Sequence, residues 1–234
     1  MKARQGFFQL VFVCIFNMIL VLVCINCFEK HKVLQVLLTV ISLCTYVMLV
    51  SSAYRMFLYI REYHLTFLRV LVLWGIGVIG LVMAGVIVSI YKERFPLFSY
   101  MLVVTVSLYI GFAAIHPDYV IARYNVAQSE MGKDIDEWYL LRNLSLDAAV
   151  PVLDMYEKKL QSEDYIKAYI SGTGNELDNS EYYYKRIMDE TEEMNLRSYN
   201  FSRGIAKGQA DDFMEKMEHN YIWADWISGK ESVN

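Results

Sequence analysis

The sequence is poor in the residues and motifs that are typical of soluble enzymes. It has 3 prolines and 4 cysteines in 234 residues, and no persuasive strand alternation. It carries none of the serine-hydrolase, phosphate-loop or zinc-protease motifs. Its histidines are dispersed, and none has a second metal ligand at helical spacing. These absences predict no catalytic residue, no cofactor and no metal site, so we expect a protein that is not an enzyme.

Acidic residues are scarce in the first half of the chain and abundant in the second. Up to residue 115 there are 9 Lys and Arg against 3 Asp and Glu, and the remainder has 13 against 23, for a net charge of −4. Hydrophobic residues make up 56% of the chain, which is too many for a disordered protein. The uneven charge predicts two domains, residues 1–116 and 117–234, that face different solvents.

Four long apolar runs occupy the first domain, over 7–28, 33–53, 70–91 and 95–115. A helix needs roughly 20 apolar residues to cross the hydrocarbon core of a bilayer. Lys, Arg, Tyr and Trp flank the runs, as is typical at a membrane interface. We therefore predict an all-α polytopic membrane protein with four transmembrane helices and a small acidic helical tail domain.

Basic residues are also distributed unevenly between the two predicted membrane faces. Six lie on the face of the amino terminus and four on the opposite face. The positive-inside bias then predicts a multi-pass protein of the cell membrane with its tail in the cytoplasm. A tail outside the cell would agree equally well with the acidity of that domain.

The acidic tail shows short amphipathic patterns that are typical of helices. It begins after Pro117, which disfavours helix in the residue before it and so ends the fourth run. We predict helices over 134–144, 149–160, 163–170, 180–194 and 206–227, with a turn at 171–175.

Three glycines of the third run, Gly75, Gly77 and Gly80, spell the G-x-G-x-x-G pattern of dinucleotide-binding folds. The pattern lies in the middle of an apolar run, where no phosphate can sit. Gly80 and Ala84 instead form a pair of small residues four positions apart. This pair predicts the close approach of another helix.

Polar residues recur between the second and third apolar runs. If this segment is helical, Arg55, Tyr59, Glu62, Thr66 and Arg69 lie on one face. Such a face can hold an Arg–Glu–Arg cluster against protein or a polar headgroup. The simpler interpretation is an interfacial connector whose arginines reach lipid phosphates.

More polar residues follow the fourth run on the same predicted side, because an even number of crossings separates the two segments. We predict that Glu62 pairs with an arginine of either segment, and that Asp118 caps a helix or pairs locally. The candidate polar cluster comprises Arg55, Tyr59, Glu62, Thr66, Arg69, Asp118, Arg123 and Asn125.

Several motifs, in order along the chain, resemble a bacterial membrane family. They lie at residues 3–10, 52–56, 59–69, 117–125, 139–151 and 197–203. The chain is similar there to the domain-of-unknown-function family numbered 4173, which is related to family 4153. The resemblance implies a membrane fold and location but no chemistry. Family members carry further upstream spans, so it also implies a carboxyl-terminal portion of a longer ancestral protein, or a shortened homologue.

The leading hypothesis is a non-enzymatic integral membrane protein that acts in binding or assembly. Its expected partners are the lipid bilayer and other membrane helices or a second copy, with no nucleic acid. The alternative is a transporter or channel component in which Arg55, Glu62 and Arg69 line a polar path. A third class, a membrane-embedded enzyme, would need a site built from Arg55, Glu62, His64, Asp118 and Arg123.

Overall fold

Each apolar run of the sequence is a helix in the computed structural model, which describes residues 2–27, 31–92, 94–160, 175–192 and 201–231. These residues contain no strand, which confirms the predicted all-α class. The helices are α1 (Lys2–Cys27), α2 (Lys32–Tyr63), α3 (Phe67–Tyr91), α4 (Leu97–Ala114), α5 (Pro117–Glu130), α6 (Glu137–Arg142), α7 (Ala149–Leu160), α8 (Asn175–Glu192) and α9 (Phe201–Glu231), with a 3-10 turn at Leu146–Ala148.

The chain divides into two units, Met1–Pro117 and Asp118–Asn234. The helical path is interrupted at His116, which has a φ of 50°. A residue in this left-handed region stops a helix, and proline is well tolerated as the first residue of the next one. The division between the units therefore coincides with a local break in the backbone.

In the first unit, α2 packs against both α1 and α3, α1 also packs against α3, and α4 packs against α3. One apolar cluster lies in the core of this unit. Its buried members are Val21, Leu38, Val82, Met83, Val86 and Ile90.

Three of these helices, α2, α3 and α4, are long and apolar enough to cross a membrane. The first predicted span corresponds to α1, whose apolar part among the described side chains, Gln9–Ile25, is shorter. With 32 residues, α2 measures about 48 Å, well above the roughly 30 Å of a hydrocarbon core. Helix α2 is therefore longer than one crossing of the membrane requires.

The close approach predicted at Gly80 is confirmed. A Cβ atom at this position would lie 3.2 Å from the Leu49 side chain of α2. That distance is shorter than ordinary van der Waals contact, so a Cβ atom here would require the Leu49 side chain to shift by a few tenths of an ångström.

In the second unit, α9 packs against α7, α8 and the 3-10 turn, and α7 packs against α8. Asp136 caps the start of α6 by accepting a hydrogen bond of 3.0 Å from the backbone N–H of Tyr139. The largest buried side chains come from the helices and their connections and include Leu140, Leu141, Leu144, Leu153, Tyr156, Tyr183 and Ile187.

The predicted tail helices agree unevenly with these elements. The prediction for 149–160 coincides with α7, whereas α6 is shorter than predicted and α8 and α9 begin earlier. The predicted helix 163–170 lies outside the described residues, as does the turn before Asn175. Helix α5 was not predicted, although Pro117 at its first position and Asp118 in its first turn are typical helix-start signals.

Candidate functional site

The polar segment between the second and third apolar runs is two helices joined by a turn. Helix α2 ends at Tyr63, and His64 follows with a φ of 67°. Helix α3 begins at Phe67, with Thr66 as its N-cap. The left-handed residue interrupts the helical register. The expectation of one continuous face from residue 55 to residue 69 is therefore wrong.

Arg69, in the first turn of α3, holds this turn together. Its guanidinium donates hydrogen bonds to the backbone carbonyls of Tyr63 and His64. The guanidinium carbon also lies 4.6 Å from the centroid of the Tyr59 ring. The last carbonyls of a helix lack partners within the helix, and a cation there is favoured by the helix dipole. Arg69 therefore closes the end of α2.

Arg55 and Glu62 are exposed at the end of α2, and neither forms an ion pair among the side chains that the structure describes. The expected pairing of Glu62 with Arg55 or Arg69 is thus not formed in the first unit. The Arg69 guanidinium instead donates its hydrogen bonds to the backbone carbonyls of Tyr63 and His64. Tyr59 joins the turn through its ring, which lies 4.6 Å from that of Tyr63.

The remaining members of the predicted cluster belong to the second unit. The Asp118 carboxylate accepts a hydrogen bond of 3.1 Å from the backbone N–H of Ser145. This bond links the start of α5 to the residue that precedes the 3-10 turn. Arg123 is exposed, and Asn125 is buried on the inner side of α5. The role of the eight residues as one functional cluster stays a prediction.

A polar contact that the sequence did not reveal joins α1 to α2. The Asn17 amide donates to the Thr45 hydroxyl at 3.2 Å, and Thr45 donates to the carbonyl of Ile41 at 2.8 Å. The Cys14 thiol lies 3.8 Å from the carbonyl oxygen of Thr45. Asn17 interrupts an apolar run, which was a signal of such a contact, but its partner could come only from the packing of the helices.

Glu137 is the centre of a polar network in the second unit. Its carboxylate pairs with Lys159 of α7 at 2.6 Å. The Tyr156 hydroxyl and the Asn179 amide each donate to its second oxygen at 3.5 Å. The network joins α6, α7 and α8 through a half-buried ion pair.

Arg186 of α8 strengthens the same junction. Its guanidinium donates to the backbone carbonyl of Leu141, and to that of Leu144 at 3.0 Å. It also pairs with Glu190 at 2.8 Å. These bonds satisfy carbonyl groups at and beyond the end of α6.

Tyr183 is fully buried beside this junction, and its hydroxyl has no hydrogen-bond partner within the described residues. Burial raises the pKa of its phenol well above the ordinary value. The side chain is therefore neutral and places an unpaired polar atom in the core, which is energetically unfavourable.

We expect Tyr183→Phe to stabilise the second unit by about 1 kcal/mol, because it removes a buried hydroxyl without a partner. The measurement is hydrogen exchange of the α8 amides in the full chain. Tyr156→Phe is the matched control, since it deletes a hydroxyl that donates to Glu137, and it should lower protection. Equal losses of amide protection from both substitutions would show that the Tyr183 hydroxyl has a hydrogen-bond partner.

Groups that could hold a metal are not assembled in the part of the chain that the structure describes. No three His, Cys, Asp or Glu side chains come together there at ligand spacing. What the described polar groups do is join helices: Arg69 joins α2 to α3, Asn17 joins α1 to α2, and Glu137 joins three helices of the second unit.

A comparison with protein families finds one match that covers most of the chain. The model of a family described as a domain of unknown function (DUF4153) matches residues 1–156, which is the whole first unit and the second unit as far as α7. No curated protein and no solved structure matches the chain.

Proposed function

The chain belongs to the DUF4153 family, and from that premise we propose that it is a multi-pass integral protein of the bacterial cell membrane that acts in binding or assembly rather than catalysis. The motifs quoted from the sequence support a finer placement, in the related family numbered 4173. The membrane unit anchors the acidic helical unit, and the excess of basic residues on the amino-terminal face supports a cytoplasmic location for that unit.

The surface of α4 is the observation that carries this proposal. None of its 18 residues is buried, although it is strongly apolar. Phe98, Val103 and Tyr109 are 75%, 60% and 63% exposed. In water this surface would cost about 25 cal/mol for each Å² that it exposes, and lipid or another helix removes that cost.

The transport alternative depended on a stripe of Arg55, Glu62 and Arg69 along one helix. The turn at His64 breaks that stripe, and Arg69 is bound to carbonyl groups. The polar contacts of Arg69 and Asn17 instead join helices to one another, which favours a role in assembly.

Membrane integration is tested by alkaline carbonate extraction of cells that express the full chain. We expect the protein to stay in the membrane pellet, because its apolar helices need lipid. A peripheral protein of the same fractionation is the control. Release of the chain into the carbonate supernatant would overturn the membrane proposal.

Assembly is tested separately, by cysteine crosslinking from the exposed face of α4 in a variant without native cysteines. Val103→Cys should give one discrete crosslinked species if another helix covers this face. Val36→Cys, on the exposed face of α2, controls for random collision. Identical diffuse products from both positions would leave lipid as the cover of α4 and contradict assembly through it.

A further inference from the structure

An arginine lies between two aromatic rings on the surface of the second unit. The Arg142 guanidinium carbon is 4.1 Å from the centroid of the Trp138 ring and 5.1 Å from that of Tyr182. The three side chains, here called the Arg142 cluster, are exposed, with 55% of Trp138 and 40% of Tyr182 accessible to solvent. Tyr and Trp are enriched at interfaces, because each ring combines an apolar body with a polar tip.

The Arg142 cluster lies on two helices that are joined by hydrogen bonds. Trp138 and Arg142 lie on α6, and Tyr182 lies on α8. The bonds from Arg186 to carbonyls at and just beyond the end of α6, and the Glu137 network, join these two helices. The cluster is therefore preorganised for binding, which lowers the entropy cost of association.

Arg142 also keeps its charge and its hydrogen-bond donors available. It forms no ion pair and no hydrogen bond within the described residues, whereas Glu137, Glu181 and Glu190 of the same two helices are each paired with a cation. An aromatic face stabilises a guanidinium without accepting conventional hydrogen bonds. Its planar set of N–H groups matches the oxygens of a phosphate.

We propose that the Arg142 cluster docks the second unit on the bilayer surface, with Arg142 bound to the phosphate of a lipid headgroup and Trp138 and Tyr182 at the headgroup level. Trp and Tyr are the side chains that favour this interface. The second unit follows α4 directly along the chain, so the bilayer is present at a high effective concentration. This inference rests on the membrane location proposed above.

The test uses the full chain in nanodiscs whose lipids carry brominated acyl chains, which quench nearby tryptophan. The chain has 4 Trp, so variants that keep only Trp138 or only Trp74 of α3 report docking and membrane insertion separately. We expect bromolipid to quench both. Quenching of Trp74 without Trp138 would overturn docking and leave the proposed function intact, whereas quenching of neither would overturn both.

Charge variants test the role of the guanidinium in the variant that keeps Trp138. Arg142→Gln should lower the ratio of docked to undocked protein about fivefold, the effect of one arginine near an anionic surface. Arg123→Gln removes the same charge from an exposed position of α5 and should leave quenching unchanged. Equal losses from both variants would mean that only net charge acts, and would overturn the phosphate contact.

A titration with inorganic phosphate in phospholipid-free detergent separates the two sources of phosphate. We expect millimolar phosphate to leave Trp138 emission unchanged, since one exposed arginine needs the bilayer to hold its ligand nearby. A saturable change that Arg142→Gln abolishes would identify a site for a soluble anion, and would overturn docking on lipid.

Discussion

Gly85→Ala is expected to lower the free energy of unfolding of the first unit by about 1–3 kcal/mol, the usual cost of overpacking. A Cβ atom on Gly85 would overlap two carbons of the Tyr100 ring. That ring is not free to move away. Its hydroxyl donates to the carbonyl of Leu81 at 2.9 Å, and the ring lies 5.5 Å from that of Phe95. Contact between α3 and α4 therefore requires a glycine here.

Gly77→Ala is the matched control, because a Cβ atom there meets no atom within 4 Å. Alanine is favoured over glycine in a helix by about 1 kcal/mol, so this variant should be at least as stable as the natural chain. Thermal unfolding in mild detergent compares the two. Similar stabilities for both variants would show that α3 and α4 are farther apart at Gly85 than the structure places them.

Arg69→Gln is expected to lower the free energy of unfolding of the first unit by about 1.5–3 kcal/mol, the usual value of a hydrogen bond to a charged group. The substitution removes the donors that serve the carbonyls of Tyr63 and His64, and with them the contact to the Tyr59 ring. Thermal unfolding in detergent measures the loss. Arg69→Lys should be intermediate, because it keeps the charge but not the planar fork.

Arg55→Gln and Glu62→Gln are the controls for Arg69, since both residues are exposed at the end of α2 and form no ion pair among the described side chains. Each should change stability by no more than about 0.5 kcal/mol. A loss at Glu62 as large as that at Arg69 would support the Arg–Glu–Arg pairing expected from the sequence.

The amino-acid sequence was sufficient to predict the helices of the first unit and the all-α class. Runs of about 20 apolar residues can satisfy their backbone groups in lipid only as helices. The same local logic predicted α7, where apolar residues recur at helical spacing, and the close approach at Gly80, where small residues are four positions apart. These features depend on neighbours within one or two turns, so the chain's local order determines them.

The turn after α2 and the Arg142 cluster were decided by side-chain contacts that no periodic pattern in the sequence predicts. Nothing in the pattern around His64 distinguished a continuing helix from a turn, because the positive φ of this residue is accompanied by a specific hydrogen bond from Arg69 to its carbonyl. Trp138 and Arg142 both lie on α6, but the second ring of the cluster, that of Tyr182, comes from α8. The energy of such contacts depends on which helices pack together, and helical periodicity contains no information about that choice.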